Sequence, residues 1–268
     1  MTAHPARAMA APILLAFCTQ AAHAQALESM ATYDNFNVPS LDMNKWLEGE
    51  RMRANSDGGL NMRVAEVGQR HTDVGITNAG WSLPLARTAR VSQLKATITV
   101  NGFEVVGCAS NTTPSAARAR LIGTFFNTGN PIDNSRVGDM LAQVEIARRS
   151  NSTDPEGILR ITGTLHVCED VECDIARQVG TSVPLGTVAL GMPVTVSLEW
   201  DKVGKRFVYG RDGTESGTIA YTQTDYTQTS RGLKALNVSA RPANCTTGAT
   251  KAVMDARFQQ FQVNTTGR

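Results

Sequence analysis

Residues 193–221 read PVTVSLEWDKVGKRFVYGRDGTESGTIAY. From Val194 to Trp200 apolar side chains alternate with polar ones, a period of two that is typical of a strand with one buried face. The polar residues after Trp200 interrupt the alternation, which resumes at residues 206–209, and Asp212-Gly213 supplies a second turn. The stretch therefore predicts consecutive antiparallel strands, and with them an all-β protein.

The same alternation recurs along the chain, at residues 93–100, 119–125, 141–147, 159–167 and 253–263. In the third of these runs, Ala142 and Val144 are expected to face a core, and Gln143 and Glu145 to face away from it. Clusters of Asn, Ser, Gly and Pro separate the runs and predict turns. Many short strands without intervening helices predict an antiparallel β-sandwich, with residues 25–268 as a single domain.

The first 24 residues have the pattern of a secretory signal peptide. Arg7 precedes a short apolar run, and Ala22-His23-Ala24 places small residues where a signal peptidase cleaves. Cleavage before Gln25 predicts a periplasmic or secreted protein. The apolar run is shorter than the roughly 20 residues that a bilayer requires, so no membrane insertion is expected. A net charge of +2 with mixed signs argues against nucleic acid as a partner.

Four cysteines follow the signal segment, and an even number in an exported chain predicts two disulfides. Three pairings are open. Cys168 and Cys173 could close a short local loop, and Cys108 and Cys245 would then join distant parts of the chain. The alternative is a zinc site that uses Cys168, Cys173 and His166, although structural zinc sites usually have tighter spacing and a second pair of ligands.

Several short motifs resemble the concanavalin A-like lectin/glucanase superfamily, including its LamG-like jelly rolls. Residues 33–46 are similar to its first strand, residues 58–64 to its second, residues 198–213 to a late strand pair, and residues 254–263 to its last strand. The resemblance covers most of residues 30–264 and implies a jelly roll of two curved sheets with a concave face. The superfamily includes lectins, glycoside hydrolases, polysaccharide lyases and adhesion domains, so the fold alone does not select a function.

The resemblance also implies which catalytic residues an enzyme of this superfamily would need. Hydrolases of the superfamily carry closely spaced carboxylates on one strand, and retaining chemistry needs two carboxyl groups about 5–5.5 Å apart. The equivalent stretch here holds Glu145 alone, because Gln143 and Ala147 occupy the neighbouring positions on its face. Lyases of the superfamily use a histidine and a tyrosine with neutralising Arg and Gln. His166 could be that histidine, but no tyrosine lies at a matching position.

The first functional hypothesis is therefore carbohydrate binding without catalysis, with a glycan as the partner. A glycoside hydrolase or polysaccharide lyase with a degenerate motif is one alternative, and a structural or adhesion domain without a small ligand is another. If the strand at 159–167 pairs with the strand at 141–147, their polar side chains share one sheet face. Trp81, in a turn-rich setting, is the ring best placed to contact a sugar. The predicted ligand-binding residues are Trp81, Arg120, Gln143, Glu145, Arg160 and His166.

Two groups of acidic residues offer hard oxygen ligands, so calcium is the cofactor that the sequence allows. One group lies at residues 169–174 and contributes Asp170, Glu172 and Asp174. The other is a weaker candidate made of Asp133, Asn134 and Asp139. No other cofactor is predicted.

Overall fold

The computed structural model describes residues 52–54, 58–86, 88, 90–129 and 131–264. Within them the chain forms fourteen β-strands and no helix. In chain order these are β1 (Met52–Ala54), β2 (Gly59–Val67), β3 (Ala79–Pro84), β4 (Gln93–Val106), β5 (Ala116–Asn127), β6 (Asp139–Arg149), β7 (Ile158–Cys168), β8 (Ala176–Gln178), β9 (Val183–Ala189), β10 (Pro193–Asp201), β11 (Arg206–Arg211), β12 (Thr214–Ala220), β13 (Lys234–Arg241) and β14 (Lys251–Val263). The signal segment and the motif at residues 33–46 lie outside the described residues.

The strands form two sheets. The first sheet has the order β1-β2-β14-β4-β10-β11-β12, and the second has the order β3-β13-β5-β6-β7-β8, with β9 also pairing with β7. Every pairing between these strands is antiparallel. The sheets pack face to face over one large apolar cluster. The predicted all-β fold, an antiparallel β-sandwich of jelly-roll type, is confirmed.

The alternation in the sequence decides which side chains enter the core. The side chains that β10 buries are those of Val194, Val196 and Leu198. This strand lies between β4 and β11, and its residue Leu198 is opposite Leu94 on β4. On the second sheet the inward-facing residues include Val144 on β6. Burying apolar side chains of this size contributes roughly 1.5–3 kcal/mol each relative to leaving them exposed.

An aromatic cluster fills one end of the sandwich. Phe126 lies between the two sheets, with its ring centroid 5.2 Å from that of Trp200 and 5.0 Å from that of Tyr221. Trp200 donates its indole N–H to the Tyr221 hydroxyl over 2.8 Å, and this hydroxyl donates to Asp225 over 2.6 Å. The polar atoms of both rings are therefore satisfied although the rings pack in the core.

A contact between the sheets fixes the position of β7. Tyr209 on β11 is fully buried and donates its hydroxyl to the backbone carbonyl of Thr164 over 2.8 Å. The ring lies where a side chain at residue 163 would point, and Gly163 leaves that space free. Because β7 is held at this point, the outward side chains of its neighbours Thr162 and Thr164 have a defined position on the opposite face.

The four cysteines form two disulfides, Cys108–Cys245 and Cys168–Cys173. Of the three pairings that the sequence left open, this is the one with a short local loop and a long-range link. Because both sulfurs of the local pair are bonded to each other, the zinc alternative with His166 is wrong. Structural disulfides are typical of exported proteins. Among the described residues no helix is long and apolar enough to span a membrane.

Candidate functional site

Polar side chains from four neighbouring strands collect on the outer face of the second sheet, away from the core. In register, Arg120 on β5 lies opposite Asn237 on β13 and Glu145 on β6, and Glu145 lies opposite Thr162 on β7. Residues two apart on a strand point to the same side, so further polar residues join this row. We call the set the polar face; it comprises Arg118, Arg120, Gln143, Glu145, Arg149, Arg160, Thr162, Thr164, His166, Asn237, Ser239 and Arg241.

A chain of hydrogen bonds crosses the polar face at right angles to the strands. Asn237 donates its amide to Ser82 over 2.8 Å and accepts from Arg120 Nε over 2.8 Å. Arg120 donates to Gln143 Oε1 over 3.2 Å, and Gln143 donates to the Thr164 hydroxyl over 3.1 Å. Each side chain holds the next in one orientation, which is the pre-organisation that a binding surface needs.

Glu145 is a buried carboxylate among arginines. Arg149 donates to its Oε1 over 3.2 Å, and Arg118 Nε lies 3.7 Å from its Oε2. Burial alone would raise the pKa of Glu145, but the charges of Arg118, Arg149 and Arg120 outweigh it and hold that pKa below its usual range. Glu145 is therefore ionised at neutral pH. Burial also lowers the pKa of Arg120, to about 9, which leaves this guanidinium protonated.

Two cavities open on this side of the second sheet, and Arg241 is among the residues that line each of them. The first cavity has a volume of about 540 Å³, and polar side chains of β6 and β7 form its floor. The second has a volume of about 560 Å³ and lies toward β3 and β13, where Ile122, Leu141 and Leu233 add apolar surface. The first is lined by Arg118, Gln143, Glu145, Ala147, Arg149, Asn151, Ser152, Thr153, Arg160, Thr162, Thr164, His166, Gln178, Ser182 and Arg241.

His166 lies at one end of the first cavity, opposite Leu141 on β6 and Gln178 on β8. Its Nδ1 is buried without a hydrogen-bond partner. Burial lowers the pKa of His166, and the charges of Arg118 and Arg120 lower it further against the opposing pull of Glu145. The imidazole is therefore neutral at neutral pH.

Replacing His166 with glutamine should make the protein less sensitive to acid. Because the folded-state pKa of His166 is below the ordinary 6.5, the unfolded chain binds a proton first as the pH falls. Its contribution to stability is complete above pH 6.5 and is lost as the pH falls through the lower folded-state pKa. Melting temperatures at neutral pH and at pH 5 measure this, and the drop should be smaller in His166→Gln than in the wild type.

The control for this prediction is His71→Gln, because His71 is exposed. This variant should keep the acid sensitivity of the wild type. An equal drop in melting temperature for wild type and His166→Gln would contradict the assigned burial of the imidazole.

The structure brings five of the six predicted ligand residues to the polar face. Gln143, Glu145, Arg160 and His166 line the first cavity, and Arg120 lines the second. The β6–β7 pairing on which this prediction depended is observed, with Gln143 opposite Thr164. Arg160 is tied at the rim, where its Nε donates to Asp154 over 2.6 Å.

Trp81 is the exception. It lies within β3 and not in a turn, and it is opposite Val238 on β13, whose side chain is buried in the core. Trp81 is therefore on the inner side of the second sheet, where it packs against the main core cluster. Its neighbours Gly80 and Ser82 face the second cavity instead. The expected turn setting of Trp81 is wrong, and its contact with a ligand stays a prediction.

Three of the side chains predicted as calcium ligands, Asp170, Glu172 and Asp139, are engaged in other contacts. Asp170 accepts the backbone N–H groups of Asp174 and Ile175, and Glu172 accepts from Arg231 over 2.7 Å. In the second group, Asp139 is buried whereas Asp133 and Asn134 are exposed.

One further cluster of the described residues has the spacing of metal ligands, namely Asp73 with Cys108 and Cys245. The two cysteines form a disulfide, so their sulfurs are not thiolates. Asp73 accepts from the backbone N–H and the hydroxyl of Thr246. The cluster is therefore part of the scaffold that fixes the long-range disulfide.

Sequence reasoning missed three arginines of the polar face. Arg118 precedes Arg120 by two residues, and Arg149 follows Glu145 by four, so the period of two already places each beside a predicted residue. Arg241 had no such signal, because it reaches the site only through the pairing of β13 with β5.

No protein-family model and no curated protein matches the sequence. Similar solved structures include a carbohydrate-binding module from Bacillus subtilis, 10% identical over 78% of this chain and 88% of that one, with a TM-score of 0.34. The alginate lyase from Klebsiella pneumoniae is 12% identical over 81% and 86%, with a TM-score of 0.41. The kappa-carrageenase from Pseudoalteromonas carrageenovora is 11% identical over 86% and 92%, with a TM-score of 0.36.

Proposed function

We propose that this exported β-sandwich binds a carbohydrate, without catalysis, on the polar face of its second sheet. The observation that carries the proposal is the first cavity, whose floor consists of amide, hydroxyl and guanidinium groups held in place by one another. Sugars present many hydroxyl groups that both donate and accept, and such groups need converging, pre-oriented polar partners in a concave site. Gln143 and Thr164 in the first cavity supply partners of this kind, and Arg120, which lines the second cavity, holds Gln143 in place.

The chemistry of Glu145 favours binding over hydrolysis. Among the described residues that line the first cavity it is the one carboxylate, whereas glycoside hydrolysis needs two. Its lowered pKa also removes it as a proton donor at neutral pH, because a general acid needs a raised pKa. Glu145 therefore acts as an anchor that orients Arg118 and Arg149 toward the cavity.

The experiment is a glycan array probed with the purified protein and with Thr162→Trp. Thr162 is partly exposed and lines the first cavity together with Arg160 and Thr164 on the same strand, so an indole there projects into the space that the ligand would occupy. The variant is expected to lose binding to every glycan that the wild type retains. Circular dichroism and the melting temperature check that it still folds.

The matched control is Thr195→Trp. Thr195 is also a partly exposed threonine in the middle of a strand, but it lies on the outer face of the first sheet. This variant should bind as the wild type does. Loss of binding in Thr195→Trp together with retention in Thr162→Trp would move the ligand to the other sheet and end the proposal.

One observation favours a second function, a polysaccharide lyase that abstracts a proton from a sugar. A neutral histidine is a competent general base, and His166 stands in the first cavity beside guanidinium groups that could neutralise a sugar carboxylate. No tyrosine is among the described residues that line either cavity, which is why binding without catalysis is preferred.

Incubation of the protein with polyuronates separates these two functions. Elimination breaks the glycosidic bond and leaves an unsaturated sugar, which is followed by its ultraviolet absorbance. Product formed by the wild type and not by His166→Gln would establish the lyase. Binding without product supports the proposal of a non-catalytic site.

A further inference from the structure

The charge of the first cavity differs from that of the chain as a whole. The protein has 26 basic and 24 acidic residues, yet the cavity is lined by Arg118, Arg149, Arg160 and Arg241 against the single carboxylate of Glu145. Arg160 is neutralised by Asp154 at the rim, through hydrogen bonds of 2.6 and 3.0 Å. The remaining guanidinium groups still outnumber the carboxylate, so the cavity carries an excess of positive charge.

The guanidinium donors also exceed the acceptors that the cavity offers. The Nε atoms of Arg118 and Arg241 are buried and have no hydrogen-bond partner. Arg118 stands 3.7 Å from Glu145, which is an ion pair but too long for a hydrogen bond. A guanidinium has five donors and no acceptor, so only a group rich in acceptor oxygens can satisfy two or three of them together.

Repulsion among these arginines acts on their pKa values in the same direction as burial. Burial, together with the positive charge of Arg118, lowers the pKa of Arg241 to about 10. Burial and the same charge act in the same direction on Arg120. An anion placed between the guanidinium groups would oppose their mutual repulsion and so raise these pKa values again.

We propose that the glycan bound here is acidic, and that a carboxylate or sulfate group on one of its sugars is held by Arg118, Arg149 and Arg241. This inference rests on the proposed function and adds the class of ligand. Carboxylate and sulfate oxygens accept from guanidinium groups in the bidentate geometry that arginine favours. The neutral part of the sugar chain would then contact the amides and hydroxyls of Gln143, Thr162 and neighbouring residues.

Calorimetric titration of the purified protein tests the proposal with galacturonate oligomers, sulfated galactan oligomers and neutral galactan oligomers of equal length. At least one acidic series should bind ten times more tightly than the neutral series at low salt, and added salt should weaken it. Arg149→Gln, at a half-exposed arginine of the cavity, should weaken acidic binding about tenfold, as for one charge-assisted hydrogen bond, and should weaken neutral binding less. Arg206→Gln, on the first sheet, is the matched control and should behave as the wild type.

Each other result of these titrations would overturn one part of the proposal. If neutral oligomers bind as tightly as acidic ones and Thr162→Trp abolishes both, the carbohydrate site stands and its acidic preference is wrong. If no oligomer binds and the glycan array is also silent, the proposed function fails with it; if the array shows only neutral ligands, the acidic preference alone is wrong. If acidic oligomers bind but Arg149→Gln has no effect, the acidic group is not held in the first cavity. Equally tight binding of inorganic polyphosphate would show attraction of any polyanion and would end the assignment to a glycan.

Discussion

Glu145→Gln is expected to lower the free energy of unfolding by about 3 kcal/mol, the lower end of the range for removing one partner of a buried ion pair. Glu145 is almost fully buried, and Arg118 beside it is only 12% exposed. The neutral amide would leave this guanidinium and that of Arg120 without their counter-charge. Arg149 is half exposed, so water screens its part of the loss. Urea unfolding at neutral pH measures the change.

The same substitution should remove a source of acid sensitivity. The folded-state pKa of Glu145 lies below its usual value, so the unfolded chain takes up the proton first as the pH falls. The stabilisation by the carboxylate is complete above the ordinary pKa of 4.5 and is lost as the pH falls through the lower folded-state value. The gap in stability between wild type and Glu145→Gln should therefore narrow in acid.

Glu104→Gln provides the matched control for both effects. Glu104 on β4 pairs with Lys251 on the neighbouring strand β14 at 2.7 Å, but both side chains are nearly half exposed. An exposed pair of this kind contributes less than about 1 kcal/mol. If Glu145→Gln were no more destabilising than Glu104→Gln, Glu145 would not hold the arginines of the polar face in place.

The elements that the sequence predicts well are those whose pattern is local. The alternation over residues 193–201 depends only on which side chains are apolar, and the strand appears there with Val194, Val196 and Leu198 buried. The alternating runs at residues 141–147 and 159–167 likewise lie within the strands β6 and β7. The common position of Gln143 and Glu145 on one face of β6 follows from the period of two alone. The assumed pairing of β6 with β7 adds Arg160 and His166 to that face.

The errors concern residues whose environment depends on distant parts of the chain. The residues around Trp81 have the composition of a turn, but the backbone there is drawn into the second sheet by β13, which lies far along the sequence. Arg241 enters the site by the same route, through the pairing of β13 with β5. Register between strands so far apart is set by packing over the whole sandwich, and a local pattern does not encode it.

Replacing both Cys108 and Cys245 by serine is expected to cost about 5 kcal/mol of stability in the chain-entropy model, because the cysteines are 137 residues apart. The cross-link mainly restricts the unfolded chain. In the folded protein other contacts hold the same segments together: Asp73 accepts from Ser110 over 2.8 Å and from Thr246 over 2.7 Å. The serine variant should therefore keep the native structure when it folds, and it should unfold at a much lower urea concentration than the wild type.

The second disulfide is the internal comparison. Cys168 and Cys173 are five residues apart, and closing so short a loop restricts the unfolded chain far less, by roughly 2 kcal/mol in the same model. The loop between them is also fixed by Glu172, which accepts from Arg231. The double-serine variant of this pair should lose less than half as much stability as the variant at Cys108 and Cys245. The reverse order would mean that the long link acts through contacts in the folded protein, and not through the unfolded chain.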